Sequence, residues 1–169
     1  MLSTEMAKKL NDHIQYELYS GHLYLSLAAY CSTLDLDGFT NFFVVQEQEE
    51  RFHAMKFFYY VKDQGAEIKI HGLNDPKSNF KNIEEAFDFS WKHEQSVTQR
   101  LNKLMVFAIK ENDFATQNFL QWFISEQVEE EASILAILNK IKLVDGQGHG
   151  LLMLDNELAA RQFTPPTTN

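Results

Sequence analysis

Four long stretches of this chain repeat apolar residues every three or four positions, which is the spacing of amphipathic helices. They span about residues 4–33, 37–64, 83–111 and 113–143. Each is about 28 residues, or roughly 42 Å, long. Helices of equal length with one apolar face pack well against one another, so the pattern favours an all-α bundle.

The connections between these segments predict how the bundle is threaded. Residues suited to N-caps stand at the start of the four segments: Ser3 or Thr4, Asp37, Asn82 and Asp113. The first two helices are joined by a short turn, as are the last two, so each pair should be antiparallel. The middle connection, residues 65–82, can reach roughly 55 Å, which is enough to return along the whole bundle.

A short apolar segment follows the fourth helix. It spans about residues 149–162 and is predicted to form a fifth helix, while residues 163–169 read as a loose tail after the last turn. The whole chain, 1–169, is therefore expected to form a single domain. Its fold is a four-helix bundle with one long crossover and a short C-terminal fifth helix.

Each of the four long predicted helices has one apolar stripe, and polar residues interrupt each stripe close to the helix midpoint. The interrupting residues are four carboxylates, one imidazole and one amide: Glu17, Glu50, His53, Glu94, Gln127 and Glu130. A single glutamate in such a stripe usually bends outward to water. Four glutamates at the same depth on four aligned helices instead predict one buried polar layer at the bundle centre.

Burying four uncompensated carboxylates would cost several kcal/mol each, so a cation should lie among them. No lysine or arginine occupies the stripes, which makes a metal the natural candidate. The ligands are oxygens with one imidazole, and thiolate-held zinc or iron–sulfur clusters are thereby excluded. Glu50 and His53 form the Glu-x-x-His unit of carboxylate di-iron bundles. Four carboxylates also balance two divalent cations.

Overall composition narrows the classes of partner. The net charge of −9 makes nucleic acid an unfavourable partner. Cys31 is the single cysteine, so no intrachain disulfide can form and a reducing, cytoplasmic location is expected. The N-terminus does not resemble a signal peptide, and no apolar run approaches the roughly 20 residues that cross a membrane.

Several stretches resemble the ferritin family, in particular the bacterial non-haem ferritins, and the likeness extends over essentially the whole chain. They are YELYSGHLYLSLAAY in the first helix, QEQEERFHAMKFF in the second, WFISEQVEEE in the fourth, and the pair His93-Glu94. The chain length, the long crossover and the fifth helix agree with the same family.

The resemblance implies a di-iron ferroxidase centre. Glu17 and His53 would bind the first iron, and Glu50 would bridge. Glu94 and Glu130 would bind the second iron, with Gln127 beside it.

Bacterial non-haem ferritins also have a third iron site next to this pair. The matching residues here are Glu49, Glu126 and Glu129, each one step along its helix from a core ligand. Tyr24 would be a nearby electron donor.

The family likeness further implies a reaction and an assembly. Fe(II) would be oxidised to Fe(III) by dioxygen or hydrogen peroxide and stored as a ferric oxyhydroxide mineral inside a hollow shell of 24 subunits, without haem. Apolar residues outside the core stripes are expected at subunit interfaces: Tyr19, Leu23, Leu25, Tyr30, Phe42, Val45, Phe58 and Tyr59.

Related classes fit the residues less well. Bacterioferritin has a second Glu-x-x-His where this chain has Gln127 and Glu130, and its haem methionine would fall at Phe52. Rubrerythrins also require a cysteine-rich module, and mini-ferritins usually lack the fifth helix. A shell-forming subunit without oxidation activity is the alternative from another class. The other histidines show no ligand spacing and are expected on the surface or on helix sides: His13, His22, His71, His93 and His149.

Overall fold

A computed structural model describes residues 2–165 of the chain and contains five helices. They are α1 (Thr4–Ser32), α2 (Asp37–Asp63), α3 (Ile83–Lys110), α4 (Phe114–Leu143) and α5 (Gly148–Leu158). The fold is the all-α bundle with one long crossover that the periodicity predicted. The predicted fifth helix was too long, since α5 ends at Leu158 rather than near residue 162. Part of the predicted tail, residues 166–169, lies outside the described residues.

Three of the four long helices begin at a side-chain cap on the residue that the sequence indicated. Ser3 accepts a hydrogen bond from the backbone of Met6, and Asn82 and Asp113 do the same for α3 and α4. The expected cap at Asp37 is wrong, because this residue is already helical. The carboxylate of Asp155 in α5 instead accepts a hydrogen bond from Phe39 N at 3.0 Å.

The crossover returns along α1. The Asn11 side chain makes two hydrogen bonds with the crossover backbone. It donates to Glu67 O at 2.9 Å and accepts from Lys69 N at 2.7 Å. Gln15 repeats this arrangement one turn later with the backbone of residues 71 and 72. These side-chain amides replace the hydrogen bonds that an extended backbone lacks. The crossover therefore packs along α1, which also packs against α2.

The bundle core consists of two apolar clusters, one toward each end. The first includes Leu27, Cys31, Phe39 and Phe43 and reaches α5, and the second includes Leu10, Phe57 and residues of α3 and α4 near their connection. A layer of buried polar side chains separates the two clusters along the helices. The predicted polar layer therefore lies between two fully apolar regions that hold the helices together.

The fifth helix docks on the start of α2. Leu154 and Leu158 are buried against the first cluster, and the chain around Gly38 touches α5 directly. A Cβ placed on Gly38 would lie 1.7 Å from the backbone oxygen of Asp155. Only glycine allows the two backbones to approach so closely.

Some residues assigned to subunit interfaces belong to the core of the chain itself. Leu23, Phe42 and Val45 are buried within the subunit, so their interface assignment was wrong. Leu25 and Tyr59 are 45% and 53% exposed and remain available to a neighbouring molecule. None of the helices within residues 2–165 combines the length and the hydropathy needed to cross a bilayer.

Candidate metal centre

The six polar residues predicted from the helix midpoints all lie in the central layer. Their side chains are buried and come from all four long helices: Glu17, Glu50, His53, Glu94, Gln127 and Glu130. Each sits on the stripe that its helix turns toward the bundle axis. Helical period alone therefore brings together residues that are more than 100 positions apart in the chain.

The ligand atoms form two groups that share one carboxylate. Glu17, Glu50 and His53 make one group, and Glu50, Glu94 and Glu130 make the other. Within each group, one ligand atom per residue lies within 4.8 Å of the other two. Nδ1 of His53 is 3.8 Å from Glu50, and Nε2 of the same ring is 3.7 Å from Glu130. Glu50 thus stands between two possible metal positions.

Several oxygens of the layer have no donor. Oε2 of Glu17, both oxygens of Glu50 and Oε2 of Glu130 are buried and accept no hydrogen bond within the described chain. Buried polar atoms are nearly always satisfied, so orphaned carboxylate oxygens indicate a missing partner. The donor set of oxygens with one imidazole suits iron and other first-row divalent metals. The residues therefore fit a pair of metal ions.

Burial shifts the acid–base chemistry of three carboxylates in one direction. Desolvation raises the pKa of Glu94 to about 7, although hydrogen bonds from Tyr24 and Gln127 oppose the shift. Desolvation and the neighbouring carboxylates raise the pKa of Glu50 and of Glu130 well above the usual range. These groups bind protons when no metal neutralises them.

Glu17 behaves in the opposite way because of His13. Burial opposes its ionisation, but the His13 ring beside it lowers the pKa of Glu17 to about 2. Nε2 of His13 lies 2.8 Å from Oε1 of Glu17, one helical turn away. The layer therefore contains one carboxylate that is ionised and three that tend to be neutral. Burial also lowers the pKa of His53, which keeps this ring neutral and able to bind a metal.

Two histidines were wrongly expected on the surface or on helix sides. His13 is buried and packs edge-on against Phe57, with ring centroids 4.5 Å apart. His93 is buried as well, and its Nε2 is 2.7 Å from Ser20 Oγ. His13 precedes Glu17 by four residues, which puts both on one helix face. This spacing was the signal that could have identified it.

Tyr24 and Gln127 hold the second group in place. The Tyr24 hydroxyl donates a hydrogen bond to Oε1 of Glu94, and Gln127 donates to Oε2 at 2.6 Å. Gln127 also donates to the backbone oxygen of Glu94 at 3.2 Å. Both oxygens of Glu94 are therefore oriented. Burial and the Glu94 charge raise the pKa of Tyr24 well above its usual range, so the phenol keeps its proton.

Aromatic rings close one side of the centre. The Trp122 ring packs edge-on to His53, with centroids 5.6 Å apart, and Lys56 lies 4.3 Å above the Trp122 ring. The Phe52 ring contacts Trp122 and Phe163. These contacts fix the His53 ring and separate it from solvent.

The three residues assigned to a third iron site lie together at the edge of the central layer. Glu49, Glu126 and Glu129 line one small cavity next to Glu130, together with Arg161. Across residues 2–165 they do not form a group of three ligand atoms within 4.8 Å of one another. Arg161 instead forms an ion pair with Glu49 at 2.7 Å. Nothing in the local sequence around either residue signals this pairing.

The fold and the layer define a class of protein, namely a four-helix bundle with a central carboxylate-rich layer of residues suited to metal binding. The chain matches the model of the ferritin-like domain over residues 7–144. It is 39% identical to a bacterial non-heme ferritin of Staphylococcus aureus over 163 residues, which cover 96% of this chain and 98% of the relative. A similar protein of Staphylococcus haemolyticus is 38% identical over the same length.

The solved structures that this chain resembles are also ferritins. An open-pore ferritin from the archaeon Archaeoglobus fulgidus superimposes with a TM-score of 0.94 at 44% identity, covering 96% of this chain and all of the other. An engineered closed form of the same ferritin gives a TM-score of 0.95 at 45% identity. The chain belongs to the ferritin family.

Proposed function

We propose that this chain is an iron-storage ferritin subunit whose buried centre oxidises its substrate Fe(II) to Fe(III). The observation that carries the proposal is the pair of three-residue groups that share Glu50. Adjacent metal positions let two one-electron oxidations take place side by side. Two electrons and two protons reduce dioxygen to hydrogen peroxide, or hydrogen peroxide to two water molecules, so two Fe(II) ions balance either oxidant.

The residues of the layer have separate roles in this proposal. Glu17 and His53 hold one iron, Glu94 and Glu130 hold the other, and Glu50 bridges them. Gln127 orients Glu94 through its 2.6 Å hydrogen bond. Tyr24 also donates a hydrogen bond to Glu94 and so helps to orient this carboxylate.

Protons take the place of iron between turnovers. Glu94, Glu50 and Glu130 have raised pKa values because burial disfavours their charged forms. Each must lose its proton before both of its oxygens can bind a cation. Arriving Fe(II) therefore displaces protons, and departing Fe(III) allows them to return. The centre can be emptied without leaving a cluster of bare charges in the core.

Storage requires that the oxidised product be enclosed. Several exposed side chains are large and apolar, including Leu25, Tyr59, Val106, Phe114 and Val128, which supports burial in an assembly. An archaeal relative is described as an open-pore ferritin. We infer a homo-oligomeric shell, of 24 subunits if it follows the family, that holds a ferric oxyhydroxide mineral. A cytoplasmic location stays a prediction.

Aerobic addition of Fe(II) to the metal-free protein tests the proposal. The wild-type protein should produce ferric absorbance much faster than Fe(II) oxidises in buffer alone. Glu50→Ala should lose most of this rate, because both three-residue groups need Glu50. Asp63→Ala is the matched control, since Asp63 is an exposed carboxylate at the end of the same helix.

A rate equal to that in buffer would contradict the enzyme assignment and leave a shell-forming subunit without oxidation activity. An unchanged rate in Glu50→Ala would place the chemistry elsewhere.

Sedimentation analysis and electron microscopy of the iron-loaded protein test storage separately. A hollow particle with a dense core is expected, and a monomer with free ferric precipitate would contradict it.

A further inference from the structure

The segment after α5 lies across α2 and carries Arg161 to the edge of the metal centre. The Arg161 backbone oxygen accepts a hydrogen bond from the Asn41 side chain at 3.0 Å. The same Asn41 amide donates to Leu158 O at 3.2 Å, which ties the segment to the end of α5. The Arg161 guanidinium then stacks 4.4 Å above the Phe42 ring. The side chain is thereby held in one direction, with only 26% of it exposed.

The guanidinium points into an acidic cavity. Its Nη2 donates to Oε2 of Glu49 at 2.7 Å. The cavity has a volume of about 60 Å³ and is otherwise lined by Glu126, Glu129, Glu130, Gln46 and Ser133. Oε2 of Glu130, a residue of the shared metal groups, has no hydrogen-bond donor within the described chain. The cavity volume of about 60 Å³ has room for a few water molecules at most.

A guanidinium in this position competes with a metal ion for the same carboxylate. Arginine stays protonated at any pH at which the protein is folded, so its charge cannot be removed to admit another cation. A divalent ion entering beside it would meet a fixed positive charge a few ångströms away. It would also have to take Glu49 from a charge-assisted hydrogen bond.

We propose that Arg161 is the built-in cation of this cavity. Its ion pair with Glu49 keeps that carboxylate from binding a third metal ion, and so restricts the centre to two metal ions per subunit. The inference rests on the proposed function, because it assumes the two positions that share Glu50. Arg161 acts here through Glu49 and sets the number of ions bound. Asn41 positions it by fixing the backbone on which it stands.

Zinc binding to the metal-free assembled protein tests this, since Zn²⁺ occupies such ligands without redox chemistry. The number of ions per subunit is measured by equilibrium dialysis with elemental analysis, and their positions by anomalous diffraction. The wild-type protein should bind two ions in the layer. Arg161→Ala and Arg161→Gln should bind a third ion at Glu49, at least about tenfold more tightly than the wild-type protein does.

Two further variants separate this role from a general loss of charge. Lys140→Ala removes an exposed cation that pairs with Glu157 of α5 and does not line the cavity. It should still bind two ions. Adding Glu49→Gln to Arg161→Ala should return the number from three to two, because the freed carboxylate is then absent.

The outcomes distinguish the two proposals. Two ions in both the wild-type protein and the Arg161 variants would overturn the role of Arg161 and leave the proposed function standing. Three ions in the wild-type protein would overturn it as well. A wild-type protein that binds no ions in the layer would overturn the proposed function and the inference together.

Discussion

Filling the metal centre of the metal-free protein should release protons, because three of its carboxyl groups have raised pKa values. Glu50, Glu94 and Glu130 are fully desolvated and repel one another when charged. Metal ligation requires their ionised forms, so binding a divalent ion and losing protons are one linked process. The perturbation is the addition of Zn²⁺ to the metal-free protein at slightly acidic pH.

The size of the effect follows from the individual groups. The pKa of Glu94 is about 7, so at about pH 6.5 roughly three-quarters of this group is protonated. The pKa values of Glu50 and Glu130 are shifted in the same direction, and each adds up to one proton. Glu17, with a pKa of about 2, adds none, and neutral His53 adds none. Filling the centre should therefore release between about one and three protons.

The sign of the pH dependence is fixed by the same shifts. As the pH falls, protons compete with the metal for each carboxylate whose pKa is raised in the folded protein. Metal affinity should weaken about tenfold per pH unit for every proton released. Isothermal titration in buffers of different ionisation enthalpy counts these protons directly. Asp63→Asn serves as the control, because it removes an exposed carboxylate of the same helix.

A binding enthalpy that is independent of the buffer would refute this reasoning, because it would mean that the carboxylates are already ionised in the metal-free core. Glu94→Gln should lower the count, since it removes the group whose contribution is best defined. An unchanged count in that variant would equally contradict the assignment of the protons.

Three other changes have defined outcomes. Glu50→Gln should raise the thermal midpoint of the metal-free protein at neutral pH, by the equivalent of about 1–3 kcal/mol, because glutamine is neutral without the proton that the buried Glu50 must take up on folding; calorimetry at equal concentration would contradict this with a lower midpoint. His13→Ala should weaken Zn²⁺ binding about tenfold, since it frees Glu17 from a 2.8 Å contact, whereas the exposed His22→Ala should not. Gly38→Ala should detach α5, measured as faster amide exchange in residues 148–158, and unchanged exchange would refute the close contact.

The central layer could be predicted because it depends on helical period alone. Glu17, Glu50, Glu94 and Glu130 each lie on the stripe that faces the bundle axis, and helices of equal length put them at one depth. The short turns and the long crossover then leave few alternative threadings. No detailed packing information was needed for this part of the structure.

The surroundings of the layer could not be predicted in the same way. A single stripe underestimates the buried arc of a helix that contacts several neighbours, as α1 contacts α2, α3 and the crossover. His13, Leu23 and His93 were misplaced for this reason, and so were Phe42 and Val45.

Long-range partners were missed on different grounds. The contact of Asp155 with Phe39 spans 116 positions, and that of Arg161 with Glu49 spans 112. Both depend on how α5 docks over Gly38, which no local pattern encodes.

The layer also explains how this bundle can be stable without metal. Four carboxylates at the centre of a bundle would drive its helices apart if all were charged. Two apolar clusters hold the helices on either side of the layer, and protons on Glu50, Glu94 and Glu130 remove most of the charge. Under the proposed function iron passes through this centre, so the centre must be stable both filled and empty. Raised pKa values would meet that need, because protons neutralise the empty layer and would be displaced when iron binds.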